Sequence, residues 1–156
     1  MKLDETDKKI LDIIQADGRI TNAKLASTIG ISPPAMLERV RRLESSGIIS
    51  KYVALLDRDR IGLGVMAMVT ISLAIHQLPS IKSIENKILE MDEVLECYQT
   101  SGSEDYILKV ALNDIRQFSD FCFQKLATIP GVQNIKSSFI ISTVKSTTRL
   151  PVKAQR

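Results

Sequence analysis

The chain has 156 residues, of which 44% are hydrophobic and 25% charged, with a formal net charge of +3. This length can hold one medium domain or two small ones, and the composition is that of a globular rather than a disordered protein. No apolar run reaches the roughly 18 residues of a membrane-spanning helix, so we expect no membrane association. The first 20 residues contain Asp4, Glu5, Asp7 and Asp12. Acidic residues at these positions argue against a secretory signal and predict a cytoplasmic protein.

Charge and cysteine usage narrow the function classes. A pI near 8.9 permits nucleic acid as a partner without demanding it. The chain has two cysteines, Cys97 and Cys122, outside any Cys-x-x-Cys spacing, and a single histidine, His76. A disulfide framework, a zinc site and a Ser-His-Asp triad therefore lack their residues. We predict no metal site, no cofactor and no catalytic residues.

The first 50 residues predict three helices. A polar residue that can accept bonds from first-turn amides precedes each helix, and a glycine follows each. The caps are Asp4, Thr21 and Ser32, and the glycines are Gly18, Gly30 and Gly47. Because the second and third helices are joined by a very short turn, the pair is typical of a helix-turn-helix.

The third helix is the element that we expect to contact DNA. With its apolar residues on the core face, steps of about 100° place Arg39 and Arg42 on one exposed flank and Arg41 on the opposite side. A guanidinium can bond a guanine edge or a phosphate through two hydrogen bonds. The alternative is that these arginines pair with Glu38 and Glu44 on a solvated face. The candidate DNA-binding residues are Ser32, Pro33, Pro34, Ala35, Glu38, Arg39, Arg41 and Arg42.

Residues 48–64 separate two differently patterned halves. The stretch 48–56 is rich in β-forming residues and predicts a wing or a connecting strand, and 57–64 is a charged linker with two glycines. We therefore predict a winged helix-turn-helix domain over residues 1–50, a linker strand and hinge over 51–64, and a second domain over 65–150.

The second half predicts the order βαββαβ. Alternating residues 65–75 form a strand, and a helix capped by Ser80 follows it. Strands over 94–100 and 105–112 make a hairpin, and the dipeptide 130–131 ends the next helix before a final strand over about 132–144. This order is the ferredoxin-like arrangement of an α+β fold, with both helices on one face of an antiparallel sheet. The other face needs a cover, which a second copy stacked back to back could provide.

Several segments resemble the Lrp/AsnC (leucine-responsive, feast/famine) family of regulators. The segment from Ser32 to Glu44, followed by Gly47, Ile48 and Ile49, is similar to its recognition helix. The resemblance continues, in order, at Leu3–Leu11, Asp17–Arg19, Tyr52–Leu56, Ser101–Lys109 and Pro130–Val132. It thus covers about residues 3–151.

The resemblance implies a regulator with an effector domain that responds to an amino acid. Family members form dimers that assemble further, often into octamers, and the effector binds near a glycine loop where dimers meet. Carried to this chain, the amides around Ser101, Gly102 and Ser103 hold the effector carboxylate, and Asp105 holds its ammonium group. Thr100, Ser142 and Thr143, at two strand ends, are added to this pocket. Leucine or another apolar amino acid is the expected effector.

We therefore expect a sequence-specific transcriptional regulator that binds double-stranded DNA as a homo-oligomer and responds to an amino acid. One alternative is an architectural DNA-binding protein that no ligand regulates. A more distant alternative is a ferredoxin-like, small-molecule-binding enzyme subunit whose N-terminal helices mediate protein contacts. A steep loss of DNA affinity with salt distinguishes the DNA-binding classes from the last one.

Overall fold

The computed structural model describes residues 2–74 and 81–152, which form two compact units. The first contains the described parts of Met1–Leu55 and of Lys145–Arg156, and the second is Leu56–Val144. The predicted second domain ran to residue 150, whereas the segment after Val144 belongs to the first unit because it packs on the first helix. None of the helices in these two described stretches is long and apolar enough to cross a membrane.

Three helices build the first unit: α1 (Glu5–Ala16), α2 (Asn22–Ile29) and α3 (Pro33–Ser45). The three predicted N-caps are confirmed. Asp4 accepts from the Asp7 amide at 2.7 Å, and the Thr21 and Ser32 hydroxyls accept from amides three residues later. Gly30 ends α2 at φ 84°, a left-handed conformation that glycine adopts without strain. The core between the helices includes fully buried Ile10, Leu25, Met36 and Leu43.

The wing or connecting strand predicted over 48–56, and the linker strand predicted over 51–64, are not formed within the described part of this single chain. Between the end of α3 and Val65, the structure contains only turns and extended coil. Val53, Leu55 and Leu56 are exposed there by 64%, 72% and 71%. A strand exists only when a neighbour completes its ladder of hydrogen bonds, and no described segment of the chain does so here.

The second unit contains a four-stranded antiparallel sheet with the order β2-β3-β1-β4. Its elements are β1 (Val65–Leu73), α4 (Ile81–Leu89), β2 (Val94–Gln99), β3 (Tyr106–Leu112), α5 (Ile115–Asp120), which continues as a π-helical segment (Phe121–Leu126), and β4 (Val132–Phe139). The predicted ferredoxin-like βαββαβ order is confirmed. The cap assigned to Ser80 and the end of the first strand at 75 lie outside the described residues.

The last strand is shorter than predicted because its partner ends first. Phe139 pairs with Ala67, and the Ile140 amide donates to the Met66 carbonyl at 2.8 Å, one residue from the start of β1. Residues 141–144 have no neighbouring strand in the described chain and are exposed.

Both helices cover one face of the sheet. Val69, Ile71, Leu108 and Val110 on that face are fully buried in one cluster with Ile84, Ile88, Phe118, Phe121 and Leu126 from the helical layer. Alternation places Met66, Met68, Thr70, Ile107 and Lys109 on the opposite face, where each stays half-buried. This opposite face, which we call the open face, is thus partly apolar.

Candidate nucleic-acid interface and effector loop

One side of α3 is free for an external partner. Met36, Val40 and Leu43 face the core, and the helical period places Pro34, Glu38, Arg41 and Ser45 on the opposite side. Those four residues are exposed, as are Ser32 and Pro33 at the start of the helix. We call Pro34, Glu38, Arg41 and Ser45 the outer stripe.

Arg39 and Arg42 bind the start of α1. Arg39 Nη1 donates to Asp4 Oδ2 at 2.7 Å and to Asp7 Oδ1 at 2.8 Å. Arg42 Nη2 donates to both carboxylate oxygens of Asp7 at 2.8 Å. The Asp7 side chain is only 1% exposed, whereas the side chains of Arg39 and Arg42 retain 29% and 48%. The four charged groups form one connected network between α3 and the start of α1.

The hydrogen bonds of the network shift the pKa values of two of its members. The amide of Asp7 donates to the Asp4 carboxylate, and this bond, with a further one from Arg39, lowers the pKa of Asp4. In turn, hydrogen bonds to Asp4 and then to Asp7 raise the pKa of Arg39. Both shifts favour the charged forms of Asp4 and Arg39.

These contacts give Arg39 and Arg42 partners within the chain, which the sequence analysis did not predict; their expected role in DNA binding stays a prediction. A helical wheel of α3 alone shows an open arginine flank, whereas in the structure both guanidinium groups bind aspartates at the start of α1 and not Glu38 or Glu44, and both side chains stay partly exposed. Arg41, predicted on the opposite side, is the exposed arginine of the outer stripe. The signal in the sequence was the pair of aspartates one helical turn apart, at the start of α1.

Tyr52 fixes the beginning of the linker to α3. Its hydroxyl donates to Glu44 Oε1 at 3.0 Å, and its ring lies over Gly18, where an added Cβ would be 3.6 Å from ring carbon Cδ1. Burial, followed by the Glu44 carboxylate, raises the pKa of this phenol. The ring borders a cavity of about 200 Å³ that Leu37 and Arg41 also line.

The loop between β2 and β3 carries the expected effector residues. Ser101, Gly102 and Ser103 are exposed at its tip, and Thr100 is half-buried at its base. Thr100 stabilises the loop because its hydroxyl donates to the Glu104 carbonyl at 2.6 Å and its amide to the Asp105 carbonyl at 2.9 Å.

Asp105 holds the loop on the sheet. Its amide donates to the Ile71 carbonyl at 2.9 Å, and its Oδ2 accepts from the Leu73 amide at 2.7 Å. The residue is half-buried, so one carboxylate oxygen completes the end of β1 while the second oxygen is not used by any described residue. Sequence reasoning missed this bond to Leu73.

The conformation of the chain does not demand glycine at 102. The described glycines with positive φ are Gly30, Gly47, Gly62 and Gly131. A Cβ built on Gly102 meets no atom within 4 Å. Neither a positive φ nor steric crowding within the described unit therefore requires glycine at position 102.

Ser142 and Thr143 lie away from this loop within one subunit, so their place in a pocket where dimers meet stays a prediction. The loop follows the end of β1 near Ile71 and Leu73, whereas β4 runs antiparallel and leaves the sheet near Met66. The length of β1 between these ends is about 20 Å at 3.3 Å per residue. Both residues are exposed at the far end of the sheet.

Metal binding and thiol chemistry have little support in the described ranges. No group of three or more His, Cys, Asp and Glu there is placed to hold a metal ion. Cys97 and Cys122 are free thiols. Burial raises the pKa of the Cys122 thiol, which disfavours the reactive thiolate.

Comparisons with known proteins agree with both units. Residues 3–50 match the family model for winged helix-turn-helix DNA-binding, and residues 66–150 match the model for the Lrp/AsnC ligand binding domain. Together with the geometry, this defines a helix-turn-helix DNA-binding protein that carries a ligand-binding domain.

Individual relatives extend the match over the whole chain. The transcriptional regulator AzlB of Bacillus subtilis is 36% identical over 96% of both chains. The leucine-responsive regulatory protein of Escherichia coli K12 is 33% identical over 98% of this chain and 93% of its own. A Neisseria meningitidis transcriptional regulator solved as a complex with L-Met has a TM-score of 0.93, with 35% identity over 97% of both chains. The chain belongs to the Lrp/AsnC family of DNA-binding transcriptional regulators.

Proposed function

We propose that the protein is a sequence-specific transcriptional regulator whose DNA affinity or oligomeric state responds to an amino acid. The observation that carries the proposal is that the three arginines of α3 have different surroundings. Two of them are held by α1, and the third lies on the outer stripe, open to a duplex. The exposed loop at 101–103 is the proposed effector site.

In this proposal the outer stripe of α3 enters the major groove. A recognition helix reads base edges from its N-terminal part, which here brings Ser32, Pro34 and Glu38 near the duplex. Arg41 follows one turn later and can bond a guanine edge or a phosphate. Arg39 and Arg42 are positioning residues, because their bonds to Asp4 and Asp7 fix the rotation of α3 about its axis.

In this proposal the effector site consists of backbone N–H groups and one carboxylate. The missing side chain at Gly102 lets a ligand approach the amides of residues 101–103 closely. Exposed N–H groups suit a carboxylate, and the unused oxygen of Asp105 suits an ammonium group. A free amino acid carries both groups, and the bound L-Met of the Neisseria relative supports this ligand class.

Twofold assembly completes the proposal. The open face carries half-buried Met66, Met68 and Ile107, and a second copy stacked on it would remove these side chains from water. A twofold dimer presents two copies of α3 to two half-sites on one duplex.

The proposed DNA contact is tested by measuring the affinity of the Arg41→Ala variant for the promoter region of the protein's own gene. Loss of one base contact should weaken binding by about 1–3 kcal/mol, or roughly 5- to 150-fold. Arg116→Ala, an exposed arginine on α5, is the matched control and should bind as the wild type does. Equal affinities for the two variants would remove Arg41 from the reading surface.

The effector part is tested with Asp105→Asn. Asparagine keeps an oxygen for the Leu73 amide but removes the charge, whereas alanine would leave that amide without its partner. Asp114→Asn, at the N-cap of α5 in the same unit, is the control. We expect L-methionine to raise the melting temperature of the wild type and of Asp114→Asn, but not of Asp105→Asn. Absence of any response to amino acids in the wild type would favour the architectural DNA-binding protein.

A further inference from the structure

The chain beyond β4 returns to the first unit and docks on α1. The Leu150 amide donates to Gln15 Oε1 at 2.7 Å, and Gln15 Nε2 donates to the Leu150 carbonyl at 3.1 Å. Arg149 Nη2 lies 2.6 Å from Asp12 Oδ1. Val152 is half-buried against the helical core of the first unit. We call residues 145–152 the strap.

The contacts fix a register rather than a loose association. The Gln15 side chain satisfies both polar backbone groups of one residue, as a neighbouring strand would, so a slip by one residue breaks both bonds. Asp12 and Gln15 are three residues apart and share one side of α1. An exposed ion pair alone contributes little, but here it adjoins two hydrogen bonds and an apolar anchor.

Helix α1 therefore holds two different segments. Near its start, Asp4 and Asp7 bind the arginines of α3, and nearer its end, Asp12 and Gln15 bind the strap. The helix is one continuous element of 12 residues. A displacement imposed on α1 by the strap is thus carried to the residues that set the rotation of α3.

The strap also changes how the two units are connected. The chain passes between them once at Leu55–Leu56 and a second time at Val144–Lys145. The first passage lies just before the charged turn at 58–62, and the second comes five residues after β4 ends at Phe139. With the strap docked, the first unit is tethered at two points instead of one, which removes conformational freedom from the linker.

We propose that the strap is an intramolecular coupling element. It docks on Asp12 and Gln15 of its own chain and transmits the state of the effector domain through α1 to the recognition helix. The docking stands on the contacts above, and the transmission step rests on the proposed function.

The docking is tested by hydrogen exchange of the full chain with the double variant Gln15→Leu/Arg149→Ala. Leucine keeps helix propensity while removing both bonds to Leu150. We expect exchange at the Leu150 amide to become about tenfold faster. Glu5→Gln, which removes another exposed ion pair of α1 with Lys8, should leave the strap unchanged. Equal exchange in all three proteins would overturn the docking.

A cross-linking experiment tests whether the strap stays on its own chain. Cys97 and Cys122 are first replaced by serine, and cysteines are introduced by Ala16→Cys and Pro151→Cys, exposed positions next to Gln15 and Leu150 that leave their two hydrogen bonds intact. A short bismaleimide should then link the two positions within one polypeptide, which keeps its single-chain mass on a denaturing gel. A covalent dimer would show exchange of straps between copies and overturn the intramolecular assignment.

The transmission is tested by DNA titration with and without L-methionine. The ratio of the two affinities should move toward one in Gln15→Leu/Arg149→Ala and stay at the wild-type value in Glu5→Gln. An unchanged ratio in the double variant would overturn transmission through the strap. A wild-type ratio of one would instead overturn the proposed function and the transmission together, while the exchange and cross-linking results still decide the docking.

Discussion

Replacing Asp7 with alanine is the sharpest test of the arginine network. The carboxylate accepts three charge-assisted bonds from Arg39 and Arg42 and one bond from the Asp4 amide at 3.2 Å. Removing one partner of a fully buried ion pair costs about 3–5 kcal/mol. Because both arginines are partly exposed, water can solvate them after the substitution, and we expect a smaller loss of about 2–3 kcal/mol in the free energy of unfolding of the first unit.

This loss should be visible as a lower melting temperature. For a unit of this size, 1 kcal/mol corresponds to about 4–8 °C, so Asp7→Ala should shift the first unit by about 8–24 °C. Circular dichroism of the full chain follows the helices, and hydrogen exchange assigns the change to α1 and α3. Asp7→Asn keeps an acceptor of the same shape and should lose less.

The control is Glu5→Ala, two residues earlier on the same helix and 76% exposed. An exposed charge of this kind should change stability by less than about 0.5 kcal/mol. If the free energies of unfolding of Asp7→Ala and Glu5→Ala differ by less than about 0.5 kcal/mol, the reasoning is refuted.

A double-mutant cycle measures the contact itself. Between Asp7→Ala and Arg39→Ala, we expect a coupling energy of about 1 kcal/mol or more.

Four further predictions concern backbone conformation and ionisation. Gly30→Ala should destabilise the first unit by about 1 kcal/mol in urea unfolding, because its φ is left-handed, whereas Gly102→Ala should leave stability unchanged and weaken only the response to L-methionine. Hydrogen bonds in the folded chain lower the pKa of Asp4, so the charged carboxylate stabilises the fold above the ordinary carboxyl pKa of 3.8. This contribution to the free energy of unfolding is lost as the pH falls through the lowered pKa. In urea titrations at acid pH, Asp4→Asn should therefore lose less stability with falling pH than the wild type does. Burial, followed by the hydrogen bond to Glu85, raises the pKa of Tyr106 to about 12, so Tyr106→Phe should remove the last phenol to ionise in an ultraviolet titration.

Local patterns were sufficient to predict most elements. The caps at Asp4, Thr21 and Ser32 depend on bonds within a few residues of the chain, and the change of period after Gly64 depends on side-chain alternation. Both signals act at short range, so they could be predicted without knowing what packs against what.

Contacts between distant segments could not be predicted from these patterns. Arg39 meets Asp7 across 32 positions, and Leu150 meets Gln15 across 135. A helical wheel gives the direction of a side chain but not the element that lies in that direction. The position of Ser142 is different, because the antiparallel course of β4 already places it at the end of the sheet away from the loop.

The network at the start of α1 has a consequence for the strength of DNA attraction. Two arginines and two aspartates cancel, and on the outer stripe Glu38 opposes Arg41, so one recognition helix attracts phosphate only weakly. Under the proposed function, tight binding to a promoter would require several such helices on one duplex, because each bound helix raises the effective concentration of the next. A regulator of the proposed kind would therefore discriminate by the spacing of sites along the DNA as well as by the bases within each site.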